Sequence, residues 1–92
     1  MLLVTYDISD DKLRTKFAKF LSQHGYRLQY SIFEIKNSEK ILANIRAEIE
    51  GKFAKQFSGG DSVLIIPISE TNEKRIEKYG YAKYMDEDII FV

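Results

Sequence analysis

The segment YRLQYSIFEIK, residues 26–36, limits the possible folds more than any other part of the chain. Apolar residues alternate with polar ones from Tyr26, but from Phe33 onward the apolar side chains fall on the opposite parity. A strand has a side-chain period of two, so it cannot change parity without a bulge or a break. We therefore predict two short strands here, or one strand that bends sharply between Ser31 and Phe33.

A strand and a helix precede this segment. Residues 2–6, LLVTY, are apolar apart from Thr5, which is typical of a strand covered on both faces. A helix is predicted from about Asp11 to His24, because Leu13, Phe17, Phe20 and Leu21 share one helical face. Gly25 is expected to end that helix in a left-handed conformation.

A second helix and further strands follow. Asn37 or Ser38 is predicted to cap a helix whose apolar residues extend to Phe53. The run VLIIPI predicts a strand, with Pro67 at its end or at a sheet edge because proline cannot donate to the ladder. Residues 74–79 are a plausible strand, and the closing run IIFV predicts another after the acidic turn MDED.

This order predicts an α+β protein, a ferredoxin-like βαββαβ sandwich that forms a single domain over residues 1–92 and carries an appended C-terminal strand. Two helices would cover one face of an antiparallel sheet. The opposite face would be covered by a second copy of the chain, and a homodimer would also help so short a chain reach adequate stability.

Composition excludes several kinds of site. The chain has no cysteine, which excludes disulfides and thiolate metal sites, and its one histidine, His24, offers little to a Ser-His nucleophile. The first apolar stretch is only a strand long, so we expect neither a leader nor a membrane span, and a cytoplasmic location by default.

The charge is unevenly distributed although its sum is zero. Residues 1–46 hold eight Lys/Arg and five Asp/Glu, whereas residues 47–92 hold six and nine. A free-standing nucleic-acid binder is usually strongly basic, because neutralising phosphates supplies much of its affinity. Any nucleic-acid contact is therefore expected in the first half, or is completed by a partner.

Asp7 is the main candidate for chemistry. Strand interiors disfavour aspartate, so Asp7 is expected just past the last ladder bond of the first strand. One interpretation is a turn residue bonded to the backbone of Ser9 or Asp10. The other interpretation is a ligand for Mg²⁺, a cation that is often held by one or two carboxylates. In a symmetric dimer, the two copies of Asp7 can meet across the axis and supply both.

The neighbouring charges have structural and functional interpretations. Asp10 and Asp11 are expected to cap the helix and complement its dipole. Arg14 and Arg27 can grip a phosphate with two hydrogen bonds, or can form surface ion pairs. The aromatic residues Tyr6, Tyr26, Tyr30 and Phe33 are either core or dimer contacts, or platforms for bases.

The stretch VTYDISDDKLRTKFAKFLSQHGYRLQYSIFEI, residues 4–35, resembles the CRISPR-associated protein 2 family. The family pattern is a hydrophobic strand, Tyr-Asp-Ile-(Ser/Thr)-Asp-Asp, a helix with Leu-Arg near its start, a glycine, and Arg-(Val/Leu/Ile)-Gln-Tyr-Ser-(Val/Ile)-Phe-Glu. The later run SVLIIPISE also resembles the family's penultimate strand.

This resemblance implies a homodimer whose C-terminal strand crosses to the partner's sheet. It implies an endonuclease that cleaves RNA or double-stranded DNA with Mg²⁺ or Mn²⁺, and a role in spacer acquisition with a separate integrase, CRISPR-associated protein 1. By position, the catalytic and metal-binding aspartate is Asp7, the nucleic-acid-binding residues are Arg14, Lys16 and Arg27, and Tyr6 and Phe33 lie beside the site. Lys16 replaces a frequent arginine, which keeps the charge but loses the planar fork.

Other functions remain compatible with these residues. The chain is also similar to the virulence-associated protein D family of toxin-type ribonucleases, which share the fold and an early aspartate. A third alternative is a non-catalytic dimer, either a DNA-binding scaffold for the CRISPR integrase or a regulatory ligand-binding protein in which Asp7 is a turn residue.

Overall fold

A four-stranded antiparallel sheet organises the part of the chain that the computed structural model describes, residues 1–80. Its strands are β1 (Leu2–Asp7), β2 (Gly25–Gln29), β3 (Ile32–Ile35) and β4 (Ser62–Pro67), in the order β2-β3-β1-β4. The helices are α1 (Asp11–Leu21), α2 (Glu39–Glu48) and a short α3 (Glu70–Glu73). A π-helical turn (Ile49–Phe53) and a 3₁₀ turn (Ala54–Gln56) continue α2. The predicted α+β class and ferredoxin-like order are confirmed.

The change of phase near Phe33 corresponds to a hairpin. β2 and β3 are separate antiparallel strands joined through Tyr30 and Ser31, and the register of the pair shifts between Arg27 and Gln29. The prediction of two short strands is therefore confirmed, and the turn at Tyr30 and Ser31 is the break that lets the side-chain parity change.

One face of the sheet packs against the helices and forms the core. Leu2, Val4 and Tyr6 of β1 point to this face and are at most 5% exposed. They meet the buried side of α1, which is formed by Leu13, Phe17, Ala18 and Leu21. Phe17 is central because its ring forms T-shaped pairs with the rings of Tyr6 and Phe53, at centroid distances of 5.1 and 5.0 Å.

The opposite face of the sheet, which we call the open face, retains exposed apolar side chains in the described residues. Residues opposite one another in an antiparallel ladder share a face, so Leu3 aligns with Ile66, and Thr5 with Leu64. Leu64 and Ile66 are 59% and 39% exposed. Leu3 and Thr5 are only half-buried in the described chain, so coverage of β1 on its second face depends on the expected second copy and stays a prediction.

Two further expectations need correction, and a third concerns residues that the structure does not describe. Helix α1 ends at Leu21, and His24 instead donates its backbone N–H to the Leu21 carbonyl in the following turn. Residues 74–79 form no strand: the short helix α3, capped by Ser69, is followed by a turn at Lys74 and Arg75, and residues 76–79 have no regular secondary structure. The predicted strand IIFV and the turn MDED lie outside the described residues.

Gly25 begins β2 instead of ending α1 in a left-handed conformation, since its φ is not positive. A Cβ atom on Gly25 would lie 2.0 Å from the Glu34 carbonyl oxygen and 2.9 Å from Cδ1 of Ile35. Glycine is therefore required by the close approach of the β3 backbone.

We expect Gly25→Ala to destabilise the protein by at least about 1–3 kcal/mol, because backbone must move to admit the methyl group. Gly51→Ala is the matched control, since a Cβ there meets no atom within 4 Å, and it should be neutral or stabilising by about 0.4–1 kcal/mol. Urea unfolding of both variants measures the difference. Equal stabilities of the two variants would contradict the steric explanation.

Candidate functional site

The strand β1 and the helix α1 position the first group of predicted residues. Asp10 is the N-cap of α1, and its carboxylate accepts a hydrogen bond from the Leu13 backbone N–H at 2.8 Å. This confirms the capping role of Asp10 and explains why an acidic cluster stands between the strand and a basic helix. Ser38 caps α2 in the same way, accepting from the Ile41 N–H at 3.3 Å.

Asp7 is the last residue of β1 and still belongs to the ladder, opposite Ser62. It was expected just past the last ladder bond, but the edge strand β4 extends far enough to pair with it. Asp7 is exposed and alternates with the buried Tyr6, so it lies on the open face together with Thr5. Within residues 1–80 its carboxylate takes part in no hydrogen bond or ion pair, so the turn interpretation of Asp7 finds no support.

Arg27 and the predicted site aromatics lie on the other face of the sheet. A groove of about 600 Å³ runs between α1 and the β2–β3 hairpin, and Tyr6, Arg14, Arg27 and Phe33 all line it. The Arg27 guanidinium lies over the Phe33 ring, 5.3 Å from its centroid. Four of the six predicted site residues are thus brought together, but Asp7 is not among them.

Lys16, the sixth residue, is exposed on α1 and lines a different groove of about 420 Å³ between α1 and the α2 segment. Lys19 lines both grooves, and Lys52 and His24 line the second. The basic side chains therefore form a surface that crosses α1 on the helix side of the molecule. Such a surface is suited to phosphate groups, whereas the open face carries the Asp7 carboxylate.

The Arg14 guanidinium is bound within the protein. Its Nη1 donates to the carbonyl of Ile8 at 2.9 Å and to that of Ser9 at 3.4 Å, and its Nη2 pairs with the Asp11 carboxylate. The hydrogen bond with Asp11 raises the pKa of Arg14 above its ordinary value. Arg14 thus has fewer free donors for a phosphate than Arg27.

Asp61 is a residue that the sequence reasoning missed. Its Oδ1 accepts hydrogen bonds from the backbone N–H and the hydroxyl of Ser9, both at 3.0 Å, and its Oδ2 accepts from the Ser58 N–H at 3.0 Å. It therefore ties the loop after Asp7 to the turn before β4. The segment SGGDS indicated only a turn, and no local pattern connects Asp61 with Ser9, 52 residues away.

A pH dependence of stability follows from Asp61. Hydrogen bonds from the backbone of Ser58, and then from that of Ser9, lower the pKa of the Asp61 carboxyl below its usual value of 3.8. A lowered pKa stabilises the fold above the unfolded-state value and loses that effect as pH falls through the folded value. We expect Asp61→Asn to melt at a lower temperature than wild type at pH 7, with a gap that narrows below about pH 4. Thermal melts from about pH 7 down to pH 3 measure this, and a gap of constant size would contradict it.

The described residues contain no group of three or more His, Asp or Glu side chains arranged to hold a metal. None of their helices has both the length and the hydropathy that crossing a bilayer requires.

Comparison with known proteins places this geometry in context. The family described as CRISPR associated protein Cas2 matches residues 1–76. The CRISPR-associated endoribonuclease Cas2 2 of Synechocystis sp. is 34% identical over 79 residues, which is 85% of this chain and 82% of that protein. The CRISPR-associated endoribonuclease Cas2 of Thermus thermophilus is 28% identical over 89 residues, 97% of this chain and 95% of that protein.

Two solved structures share the fold. A Thermus thermophilus protein solved as a hypothetical protein has a TM-score of 0.71 at 29% identity, covering 92% of this chain and 95% of its own. Streptococcus pyogenes Cas2, solved at pH 6.5, has a TM-score of 0.69 at 24% identity, covering 86% of this chain and 98% of its own. The second comparison concerns the fold alone.

Proposed function

The chain belongs to the Cas2 family of CRISPR-associated proteins, and we propose that it is a homodimeric endonuclease that cleaves phosphodiester bonds with the help of Mg²⁺ or Mn²⁺. RNA is the first substrate to test, because the curated relatives are named endoribonucleases. Double-stranded DNA is the second.

The observation that carries the proposal is the position of Asp7. Its carboxylate is exposed at the carboxyl end of β1, on the same face as the exposed Leu64 and Ile66. Lys78 covers this face at Glu34, but the apolar side chains of Leu64 and Ile66 stay exposed on it, and such a patch favours a second sheet as its partner. If two open faces pack about a two-fold axis near this end of β1, the two Asp7 carboxylates approach each other.

The residues present fit a hard divalent cation. An exposed carboxylate without a protein partner in the described chain is an available oxygen ligand, and Mg²⁺ is often held by one or two carboxylates while keeping several waters. When bound, Mg²⁺ neutralises charge on the phosphate and stabilises the attacking and leaving oxygens. Asp7 would hold the cation and orient the scissile phosphate toward the axis.

The basic residues have a separate part in this proposal. Arg27, Lys16 and Lys19 lie on the helix side, away from Asp7, and would hold the backbone of the nucleic acid by its phosphates. Their contribution is to affinity, which should weaken as salt rises. Arg27 is the better of these for a two-point contact, because its planar guanidinium is exposed over Phe33.

The test is a cleavage panel with single-stranded RNA and duplex DNA, each with Mg²⁺, with Mn²⁺ and with a chelator. We expect cation-dependent internal cleavage of at least one substrate by the purified dimer. Absence of cleavage of both substrates by a folded dimer would overturn the nuclease proposal.

A second function is favoured by the separation of the two surfaces. Since the basic grooves lie across the sheet from Asp7, nucleic acid can be held without any use of that carboxylate. This supports a scaffold in spacer acquisition that binds DNA together with the CRISPR-associated protein 1 integrase. Stable association with the integrase, and integration that persists in Asp7→Asn, are the results that would favour the scaffold over the nuclease.

A further inference from the structure

The peptide that joins Ile8 to Ser9 follows Asp7 directly and is held from both sides by charged groups. Its N–H, on Ser9, donates to the Asp61 carboxylate at 3.0 Å. Its C=O, on Ile8, accepts from Nη1 of Arg14 at 2.9 Å. Hydrogen bonds to charged groups are stronger than those between neutral groups, so both polar ends of one peptide plane are firmly held.

The two charged groups are themselves fixed. Asp61 also accepts from the Ser58 N–H at 3.0 Å and donates its own N–H to the Ser58 carbonyl at 3.0 Å. Arg14 is paired with Asp11 and its side chain is 25% exposed. Each group is therefore held by a further contact besides the peptide, and we call this arrangement the clamp of Arg14 and Asp61 on one peptide.

The clamp acts where the strand ladder stops. Asp7 is the last ladder residue of β1, and its partner Ser62 is next to Asp61 in the chain. The ladder fixes the backbone before Asp7, and the clamp fixes the backbone after it, with Ile8 buried to 2% exposure between them. The Asp7 carboxylate has no hydrogen bond of its own in residues 1–80, so its placement depends on the flanking backbone, which fixes the direction of the Asp7 Cα–Cβ bond.

We infer that Arg14 and Asp61 are positioning residues for Asp7, holding the Ile8–Ser9 peptide so that the Asp7 side chain leaves the backbone at a fixed place and in a fixed direction on the open face. This inference rests on the proposed metal-dependent function of Asp7. It also assigns Arg14 a different part from that expected of a phosphate-binding arginine, because its guanidinium is directed to backbone carbonyls and Asp11.

The test measures kcat and KM for the cleaved substrate in Asp61→Ala and Arg14→Lys, with Lys12→Ala as the control. Lys12 is exposed and lies in the same turn of α1 as Arg14. We expect kcat to fall at least about tenfold in both clamp variants while KM stays within about twofold, since small displacements of a reacting group reduce the rate strongly. Lys12→Ala should match wild type.

Two further measurements separate positioning from general damage. In an Asp7→Asn background, Asp61→Ala should have no additional effect on cleavage, because the group it positions is gone. Size-exclusion chromatography and far-UV circular dichroism should show that each clamp variant is still a folded dimer. If Asp61→Ala does not fold, Asp61→Asn replaces it, since Asn keeps an acceptor for Ser9 but loses the charge.

The outcomes distinguish this inference from the proposed function. Unchanged kcat in the clamp variants of an active enzyme overturns the inference, and so does a rise in KM at constant kcat in Arg14→Lys, which indicates phosphate binding. If wild type cleaves nothing, the proposed function fails, and Mn²⁺ binding followed by water-proton relaxation decides instead. If Asp61→Ala binds Mn²⁺ about tenfold more weakly than wild type does, the result supports the positioning role of Asp61. If the two proteins bind Mn²⁺ equally, or wild type binds none, the inference is overturned.

Discussion

Asp7→Asn is expected to lower cation-dependent cleavage by at least about 100-fold, because the amide carries no charge with which to hold Mg²⁺ at the phosphate. The fold should be unaffected, since Asp7 is exposed and its carboxylate makes no hydrogen bond or ion pair in the described residues. We expect its free energy of unfolding to stay within about 0.5 kcal/mol of wild type. Single-turnover cleavage together with urea unfolding tests both statements.

Asp10→Asn is the matched control for this change. Asp10 is an exposed carboxylate three residues away that caps α1, and asparagine caps a helix about equally well. Asp10→Asn should therefore keep both activity and stability. If cleavage survives in Asp7→Asn, the activity belongs to another site or to a contaminating nuclease, and Asp7 is not the metal ligand.

Leu64→Glu is expected to separate the homodimer into monomers. Leu64 lies on β4 opposite Thr5, is 59% exposed, and shares the open face with Ile66 and Asp7. A carboxylate buried in a sheet-to-sheet interface would be desolvated without a partner. Such a change costs more than about 2 kcal/mol, which weakens the dimer at least about 30-fold.

Sedimentation velocity over a range of protein concentrations measures this effect. The monomer should remain folded, because Leu64 already contacts solvent in the described chain. Cleavage should fall with the dimer, since the proposal needs two Asp7 carboxylates. Tyr30→Glu, at a 70% exposed position beside the groove, is the control that should stay dimeric.

A Leu64→Glu protein as dimeric as wild type would place the interface elsewhere, and a monomeric wild type would remove the shared site altogether. The predicted passage of the C-terminal strand to the partner's sheet concerns residues outside those described, so it stays a prediction.

The successes of the sequence reasoning share a physical origin. The break near Phe33, the caps Asp10 and Ser38, and the place of Pro67 at the end of β4 were all predicted. Each depends on residues within a few positions of one another, through side-chain period, a backbone N–H within reach, or a missing donor.

The errors arose where a local signal admitted two structures. The sequence predicts that Gly25 ends a helix. In the structure, glycine is required at this position because the Glu34 carbonyl oxygen of the neighbouring strand leaves no room for a Cβ atom. The sequence predicts a strand at residues 74–79, whereas the structure has a turn followed by irregular chain there, with Lys78 joined to the buried Glu34 at 2.8 Å. Neither contact is visible in a short window of sequence.

The sequence by itself determined the order of the strands and helices, the family and the residues to examine, because these depend on local periodicity and on motifs continuous in the chain. Only the tertiary structure decided which of those residues lie on each face of the sheet. Strand pairing places Asp7 on the open face and Arg27 on the helix face, and loop packing brings Asp61 to Ser9 across 52 residues. Such relations depend on which surfaces the sheet buries and which loops it brings together, and neither is set by neighbours in the chain.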